Sequence, residues 1–472
     1  MRNLASLVLL SLVVGYTAWQ GGGMLRLPWL YALAALAFTA ILLFGPARGQ
    51  VFAPSPHRWT MAVIIALPGY ILLQVVPLPF AWIAALSPHR AELTRQAGAI
   101  LGHTPAWIPL SVAPFATLDH LPRVLACMLI FFTVRELGWR LVATPWTIAA
   151  PLIAIATLEA AFGFRQLATG ASPMVVGTYV NRNHFAGLLV IALPFAVVGA
   201  ISLLSGLQPR QTVTIRRGLG ICGMLGTVMM IAAGLLYSVS RGGLAAGLAA
   251  TLVLALLGGS GRGSGVRTGW RTFYRTLMVG ALLGIAMLPA IPPVLLERFG
   301  QAPQTAGTTG EEMATEARLG IWRETTHLIR AYPVFGSGFG TYGSAIEEFR
   351  KTEPLYLLEY AHNDYLQWAS ELGLPGIVLL LAGGARLAGK TILLATGGLT
   401  APHRFVMAAC AASLCAMALM ELWDFHSYIP ANALSMAWVA GIAAAGDFAP
   451  RLDMHGELGV PRVVDLTIEG DL

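Results

Sequence analysis

The chain has 472 residues, of which 56% are hydrophobic and 11% charged, and its mean hydropathy is +0.68. Soluble domains carry about 25% charged residues, so a water-soluble globular enzyme is excluded and an integral membrane protein is indicated. The formal net charge of +7 requires no nucleic acid, because arginines at membrane ends meet anionic lipid.

Apolar runs of about 20 residues are long enough to cross a bilayer. In chain order they lie near 3–19, 28–45, 61–86, 121–139, 146–164, 184–205, 218–237, 243–258, 276–294, 374–394, 405–423 and 432–446. The pattern predicts an all-α integral membrane protein with about twelve transmembrane helices and one long, partly helical outer loop. The first run follows Met1-Arg2-Asn3, has no clear small-residue cleavage site before Gly21-Gly22-Gly23, and is followed by further spans, so it reads as a retained helix. Cys127, Cys222, Cys410 and Cys415 all fall in apolar runs. They read as small buried hydrophobes, neither a disulfide framework nor a metal cage.

All of the 30 basic residues except Lys351 and Lys390 are arginines, and short cytoplasmic loops accumulate them. With the N-terminus inside, the inner segments and adjoining helix ends hold Arg2, Arg48, Arg58, Arg140, Arg210, Arg216, Arg217, Arg262, Arg267, Arg271, Arg275, Arg386, Lys390, Arg404, Arg451 and Arg462, and the short outer ones far fewer. Both termini are therefore expected in the cytoplasm, and 295–372 outside, in the periplasm of a Gram-negative cell. The organisation that follows is 1–294 as an N-terminal membrane region of about nine helices and 295–372 as the large outer loop. The remainder divides into 373–448, with about three helices, and 449–472, a cytoplasmic tail.

Segment 87–120, with Pro88, Pro105, Pro109 and Pro114, reads as a second outer loop holding a short interfacial helix. Segment 259–275 is glycine- and serine-rich with Arg262, Arg267, Arg271 and Arg275; without the Lys-Ser/Thr ending of a P-loop it reads as a basic linker. In the large loop, 301–310 is a polar small-residue stretch and Glu311 to Tyr332 has helix-forming character. Arg318, Trp322 and Thr325 fall at i, i+4 and i+7 and share a face. Pro333 stops this helix, Gly336 to Gly343 forms a glycine-dense turn, and a second helix begins near His362 and breaks at Gly373-Leu374-Pro375-Gly376.

Four clusters are expected on the outer face: Gly177 to Gly187 with Arg182 and His184; Ser238-Val239-Ser240-Arg241-Gly242-Gly243; Arg318, Arg323 and His362-Asn363-Asp364; and Asp424-Phe425-His426. Arg241 stands at the mouth of two apolar helices, where a guanidinium needs an anion. A phosphate meets that need with bidentate geometry, while Asp424 or a lipid headgroup is the alternative partner. Gly242 and Gly243 would let a substrate approach the backbone. An imidazole titrates near neutrality, so His362 suits a general base or a hydrogen-bond donor. Arg318 is preferred to Arg323 because Trp322 beside it can stack on a sugar ring. Arg182 and His184 hold a phosphate or sugar, or pin a helix end; Asp424 and His426 bind substrate or close the outer turn as a structural pair. Tyr342, Asn363 and Asp364 complete the candidate substrate-binding set. His184, His362, Asp364, Asp424 and His426 lack metal-ligand spacing, so neither metal nor cofactor is expected. Glu311, Glu312, Glu316, Glu347, Glu348 and Glu353 read as solvated surface.

Across 140–430, the Ser240-Arg241-Gly242 turn, the late outer loop with Arg318 and Trp322, the Gly336-Ser337-Gly338-Phe339-Gly340 turn and His362-Asn363 resemble the O-antigen ligase and polymerase superfamily. The resemblance implies a GT-C-type membrane glycosyltransferase of the bacterial inner membrane that uses a polyprenyl-diphosphate-linked glycan donor without a metal. It also implies that Arg241 and Arg318 bind the donor diphosphate and that His362 assists the acceptor hydroxyl, giving inversion at the anomeric carbon. The acceptor would be another lipid-linked repeat for a polymerase, or lipid A-core for a ligase in lipopolysaccharide biosynthesis. Asn181 to Gly187 is similar to members associated with exopolysaccharide synthesis, which favours the polymerase. A transporter or flippase for lipid-linked sugars is the alternative of another class. It would place ionisable groups along a path through the spans, for which Arg135, Glu159 and Glu421 are the few candidates.

Overall fold

Long stretches of Leu, Ala, Val and Ile leave the backbone only one way to satisfy its polar groups within a bilayer, and they fold into helices. The computed structural model describes residues 2–46, 50–205, 214–259, 274, 315–351, 358–452 and 458–459. Its helices are α1 (Arg2–Trp19), α2 (Arg26–Phe44), α3 (Arg58–Val75), α4 (Phe80–Leu86), α5 (Pro88–Leu101), α6 (Pro114–Arg140), α7 (Trp146–Ala168), α8 (Arg182–Ser205), α9 (Ile215–Tyr237) and α10 (Arg241–Gly259). After these come α11 (Thr315–Ala331), the single turn α12 (Tyr342–Ala345), α13 (Asp364–Thr396), α14 (Ala401–Met420) and α15 (Pro430–Ala445).

Among the described residues ten helices are long and apolar enough to cross a membrane, namely α1 to α3, α6 to α10, α13 and α14. The shorter α15, 16 residues, packs along α6. The protein is thus an all-α, multi-pass membrane protein. The expected span 276–294, most of the 259–275 linker, the 301–310 stretch, Glu311, Glu312, Glu353 and the Glu316 side chain lie outside the described residues.

Two boundaries differ from expectation. The run 61–86 is not one span: Val76 is extended ahead of Pro77, which ends α3. Leu78–Pro79 then pairs antiparallel with Trp107–Ile108, and α4 is separate. Helix α6 begins with Pro114 in its first turn, so 114–120 is helix rather than loop. Segment 87–113 does hold a helix, the 14-residue α5.

Helices α8 and α14 pack against each other at the centre, both largely buried, and α9 and α10 flank them. Both are apolar on all sides, as a helix enclosed by others must be. At one end of the bundle meet the starts of α6, α8, α10 and α15 and the ends of α3, α7, α9 and α14, capped by α11 and the Pro333–Phe349 segment. The opposite end holds the Arg2 hydrogen bonds to Gly45 and Gln50 and the Arg140–Glu136 ion pair at 2.8 Å.

Candidate active site

The cap is fastened by a buried carboxylate. Glu371 in α13 accepts hydrogen bonds from the amides of Gly340 (2.8 Å) and Tyr342 (3.1 Å) and from the Tyr428 hydroxyl (2.6 Å). From α3, Gln74 donates to the carbonyls of Phe335 (2.8 Å) and Glu371 (2.9 Å) and accepts from the Phe339 amide, while Tyr70 donates to Leu372 (2.7 Å). Gly336 has φ +72 and presses on the Glu371 carbonyl, so a side chain there would meet backbone on both counts. The glycine turn is therefore a docking joint whose amides are already engaged. Gly373, with φ +61, breaks α13 at the expected place, separating its short first segment from the span.

This joint delivers α11 and His362 to Asp424, in the turn after α14. Asp424 Oδ1 lies 3.0 Å from His362 Nδ1 and 3.7 Å from His184 Nε2, and it accepts from the Phe425 amide at 3.1 Å. Oδ2 accepts from Asn183 Nδ2 at 2.9 Å and stands 4.0 Å from Arg318. Asn183 Oδ1 in turn accepts from the Ser240 hydroxyl at 2.8 Å, one residue before Arg241. All four expected clusters thus meet around one carboxylate. Among the described residues two that are not glycine have left-handed backbone, Val239 (φ 56) and His362 (φ 50), and both lie here. Such a conformation costs on the order of 1–3 kcal/mol, which the surrounding hydrogen bonds must offset.

Electrostatics reinforce the geometry. Burial works against a charged Asp424, but the hydrogen bond from His362 and the neighbouring His184 imidazole outweigh it and hold the carboxyl well below the usual range. Asp424 is therefore an anion at neutral pH. With Nδ1 3.0 Å from this anion, the His362 tautomer that donates from Nδ1 to Asp424 is the one whose Nε2 is an acceptor. His426 differs: buried at 1% exposure, it is pushed down to about 3 by desolvation, and its Nε2 has no partner. It stays neutral, with Nδ1 3.3 Å from Asn432.

The other expected residues divide. Arg241 is exposed at the start of α10, and Arg182 is half-buried at the start of α8, 3.8 Å from the Met174 sulfur. Arg318 keeps a shielded, unpartnered Nε. Trp322 donates to the Ala361 carbonyl at 3.1 Å and faces Trp423 at 6.4 Å. Arg323, five residues from Arg318, is exposed away from that face.

Three side chains expected to bind substrate hold structural hydrogen bonds. Tyr342 is 1% exposed, its hydroxyl 2.8 Å from Thr325 in the core of the cap. Asn363 caps α13 by accepting from the Leu366 amide at 3.1 Å. Asp364 is fully buried and accepts from the Ser427 amide at 2.9 Å. Gly243 likewise serves packing rather than substrate approach: a Cβ there would stand 2.7 Å from the Ala186 Cβ of α8. Asp424 and His426 do not form the expected pair, since Asp424 turns to His362 and His426 to Asn432. Asn363→Ala is expected to lower stability by about 0.5–2 kcal/mol, with Asn363→Asp recovering most of it. Thermal unfolding in detergent checks this, and an unchanged midpoint for the alanine variant would remove the cap from the account.

Several contributors give little sequence signal. Gln74 and Tyr70 are isolated polar residues in an apolar run and Glu371 is one carboxylate of the polar outer loop, while Tyr360 stacks on Phe425 at 4.0 Å with rings 6° apart. Trp423, 46% exposed, lies against Gly242. Polar residues inside apolar runs were the available signal, because burial makes such groups find partners.

Glu159 accepts from the Thr178 amide (2.8 Å) and hydroxyl, Arg135 donates to Pro54 at the opposite end, and Glu421 accepts from Ser427 at 2.7 Å. Each is occupied locally. Burial lifts Glu421 to about 7. Among the described residues no three His, Cys, Asp or Glu side chains are grouped to hold a metal ion.

Residues 225–381 match the family model described as O-antigen ligase. The matched segment contains Arg241, Arg318, Trp322 and His362, while Asn183, His184 and Asp424 complete the cluster from outside it. Comparison with curated proteins gives no match. Helical membrane architecture and the matched segment together support a likeness to the O-antigen ligase and polymerase superfamily.

Proposed function

We propose that the protein transfers a glycan from a polyprenyl-diphosphate-linked donor to an acceptor hydroxyl at the periplasmic face of the inner membrane. The observation that carries this reading is His362 held through Nδ1 by the buried Asp424 anion, beside Arg318 and next to the Ser240-Arg241 turn. Arg241 and Arg318 neutralise the diphosphate as the anomeric bond breaks; a preorganised guanidinium in a water-poor site stabilises such developing charge strongly. His362 Nε2 accepts the proton of the acceptor hydroxyl as its oxygen attacks the anomeric carbon from the opposite face, and the configuration inverts. The positive-inside pattern supports cytoplasmic termini, with 295–372 as the outer loop between the 1–294 and 373–448 membrane regions and 449–472 as the tail.

Asn181 to Gly187 favours a polymerase, with a second lipid-linked repeat as acceptor; ligation to lipid A-core is the variant of the same chemistry. Purified protein should elongate or transfer glycan from the lipid-linked donor in the presence of EDTA. Loss of turnover with chelator, restored by a divalent ion, would overturn the metal-independent step. Repeat-unit and lipid A-core acceptors supplied in parallel separate polymerase from ligase by the anchor and length of the product.

A further inference from the structure

Arg123 lies in the third turn of α6, beside the site but outside the roles assigned so far. Its i−4 neighbour Asp119, the natural ion-pair partner on a helix, is instead 3.4 Å from Arg26. The Nε and Nη1 of Arg123 are shielded from solvent and have no hydrogen-bond partner. Among the described residues no carboxylate lies within ion-pair distance of it. The Tyr360 side chain is near enough to feel its charge.

Tyr360 stacks on Phe425, and Phe425 is edge-on to His362 at 5.0 Å and to His184 at 4.6 Å. Two aromatic rings therefore separate Arg123 from the His362–Asp424 pair. His120, one turn earlier on α6, does not compete for a ligand at Arg123, because its Nδ1 is 2.9 Å from its own helix carbonyl at Ala116. A half-buried guanidinium with two nitrogens shielded and no anion is costly to fold, and its planar fork matches a phosphate or a carboxylate.

We propose that Arg123 and Tyr360 form a second anion-binding subsite, distinct from Arg241 and Arg318, that receives a phosphate or carboxylate of the acceptor. Its assignment to the acceptor rests on the reading of Arg241 and Arg318 as the donor's diphosphate site. The anion has two chemical sources, the diphosphate of the acceptor's own lipid carrier or the carboxylate of an acidic sugar.

Calorimetric titration of the full-length protein in nanodiscs with inorganic pyrophosphate tests the idea. The unaltered protein is expected to bind two equivalents, and Arg123→Gln and Arg318→Gln one each. A single equivalent in the unaltered protein, or two in Arg123→Gln, would overturn the subsite. Loss of one equivalent in Arg123→Gln but none in Arg318→Gln would keep the subsite and overturn the donor-site reading. Should Arg123→Gln not fold, Arg123→Lys keeps the charge without the fork. It is expected to weaken the second equivalent by about tenfold, and an unchanged Kd would sink the proposal. Glucuronate that displaces only the Arg123-dependent equivalent supports the carboxylate source; failure to displace it supports the phosphate source.

Discussion

Asp424→Asn is expected to lower glycan transfer by about 10²–10⁴-fold while the protein still inserts and folds. The substitution preserves volume but replaces an acceptor-only carboxylate with an amide that can donate to His362 Nδ1. The imidazole would then adopt the opposite tautomer, with a proton rather than a lone pair at Nε2, and could not accept from the acceptor hydroxyl. The same change removes the anion that Asn183, His184 and Arg318 face. Single-turnover transfer with purified variants measures the loss, and thermal unfolding separates it from misfolding. Because Asp424 acts through His362, Asp424→Asn/His362→Ala should be no slower than His362→Ala alone. Asp424→Asn turnover within about tenfold of normal would remove the carboxylate from the mechanism. Its stability contribution has a defined sign. With the folded-state pKa below the unfolded value of about 3.9, it is fully present above pH ~4 and lost as pH falls through the folded value.

What the sequence made legible follows from where its signals are strong. Spans longer than about 20 residues are defined by composition alone, and helix breaks at Pro333 and Gly373 are local properties of those residues. The four polar clusters were visible because charged and imidazole groups are rare in a chain with 11% charged residues. Which member organises them was not visible. Asp424 and His426 are two residues apart and looked like a mutual pair, but the left-handed turn at His362 brings a distant imidazole to the aspartate instead. Glycines misled in the same way. Gly243 looked like an opening for substrate, yet the close crossing of α10 on α8 requires its missing side chain. A periodicity argument identifies faces, whereas Tyr342 on the inner face of a cap and Asn363 at a helix start owe their roles to tertiary placement.

Arg318→Gln and Arg241→Gln should each reduce transfer by about 10²–10³-fold, the scale for losing one preorganised stabiliser of developing negative charge. Arg318 is held rather than consumed by its surroundings. At 4.0 Å from Asp424 it feels the carboxylate's field without a proper hydrogen bond, and its Nε has no partner. A donor diphosphate can therefore engage the fork without first breaking a strong ion pair. Lysine at either position keeps the charge but not the planar two-point grip, so Arg318→Lys should recover only part of the rate. If the guanidinium acts on the leaving group, the loss should appear in kcat and shrink with a donor whose leaving group is less basic. A loss confined to KM would instead assign Arg318 to ground-state binding of the donor. Arg318→Gln with unaltered kcat and KM would exclude it from the site, leaving Arg241 alone to carry the charge.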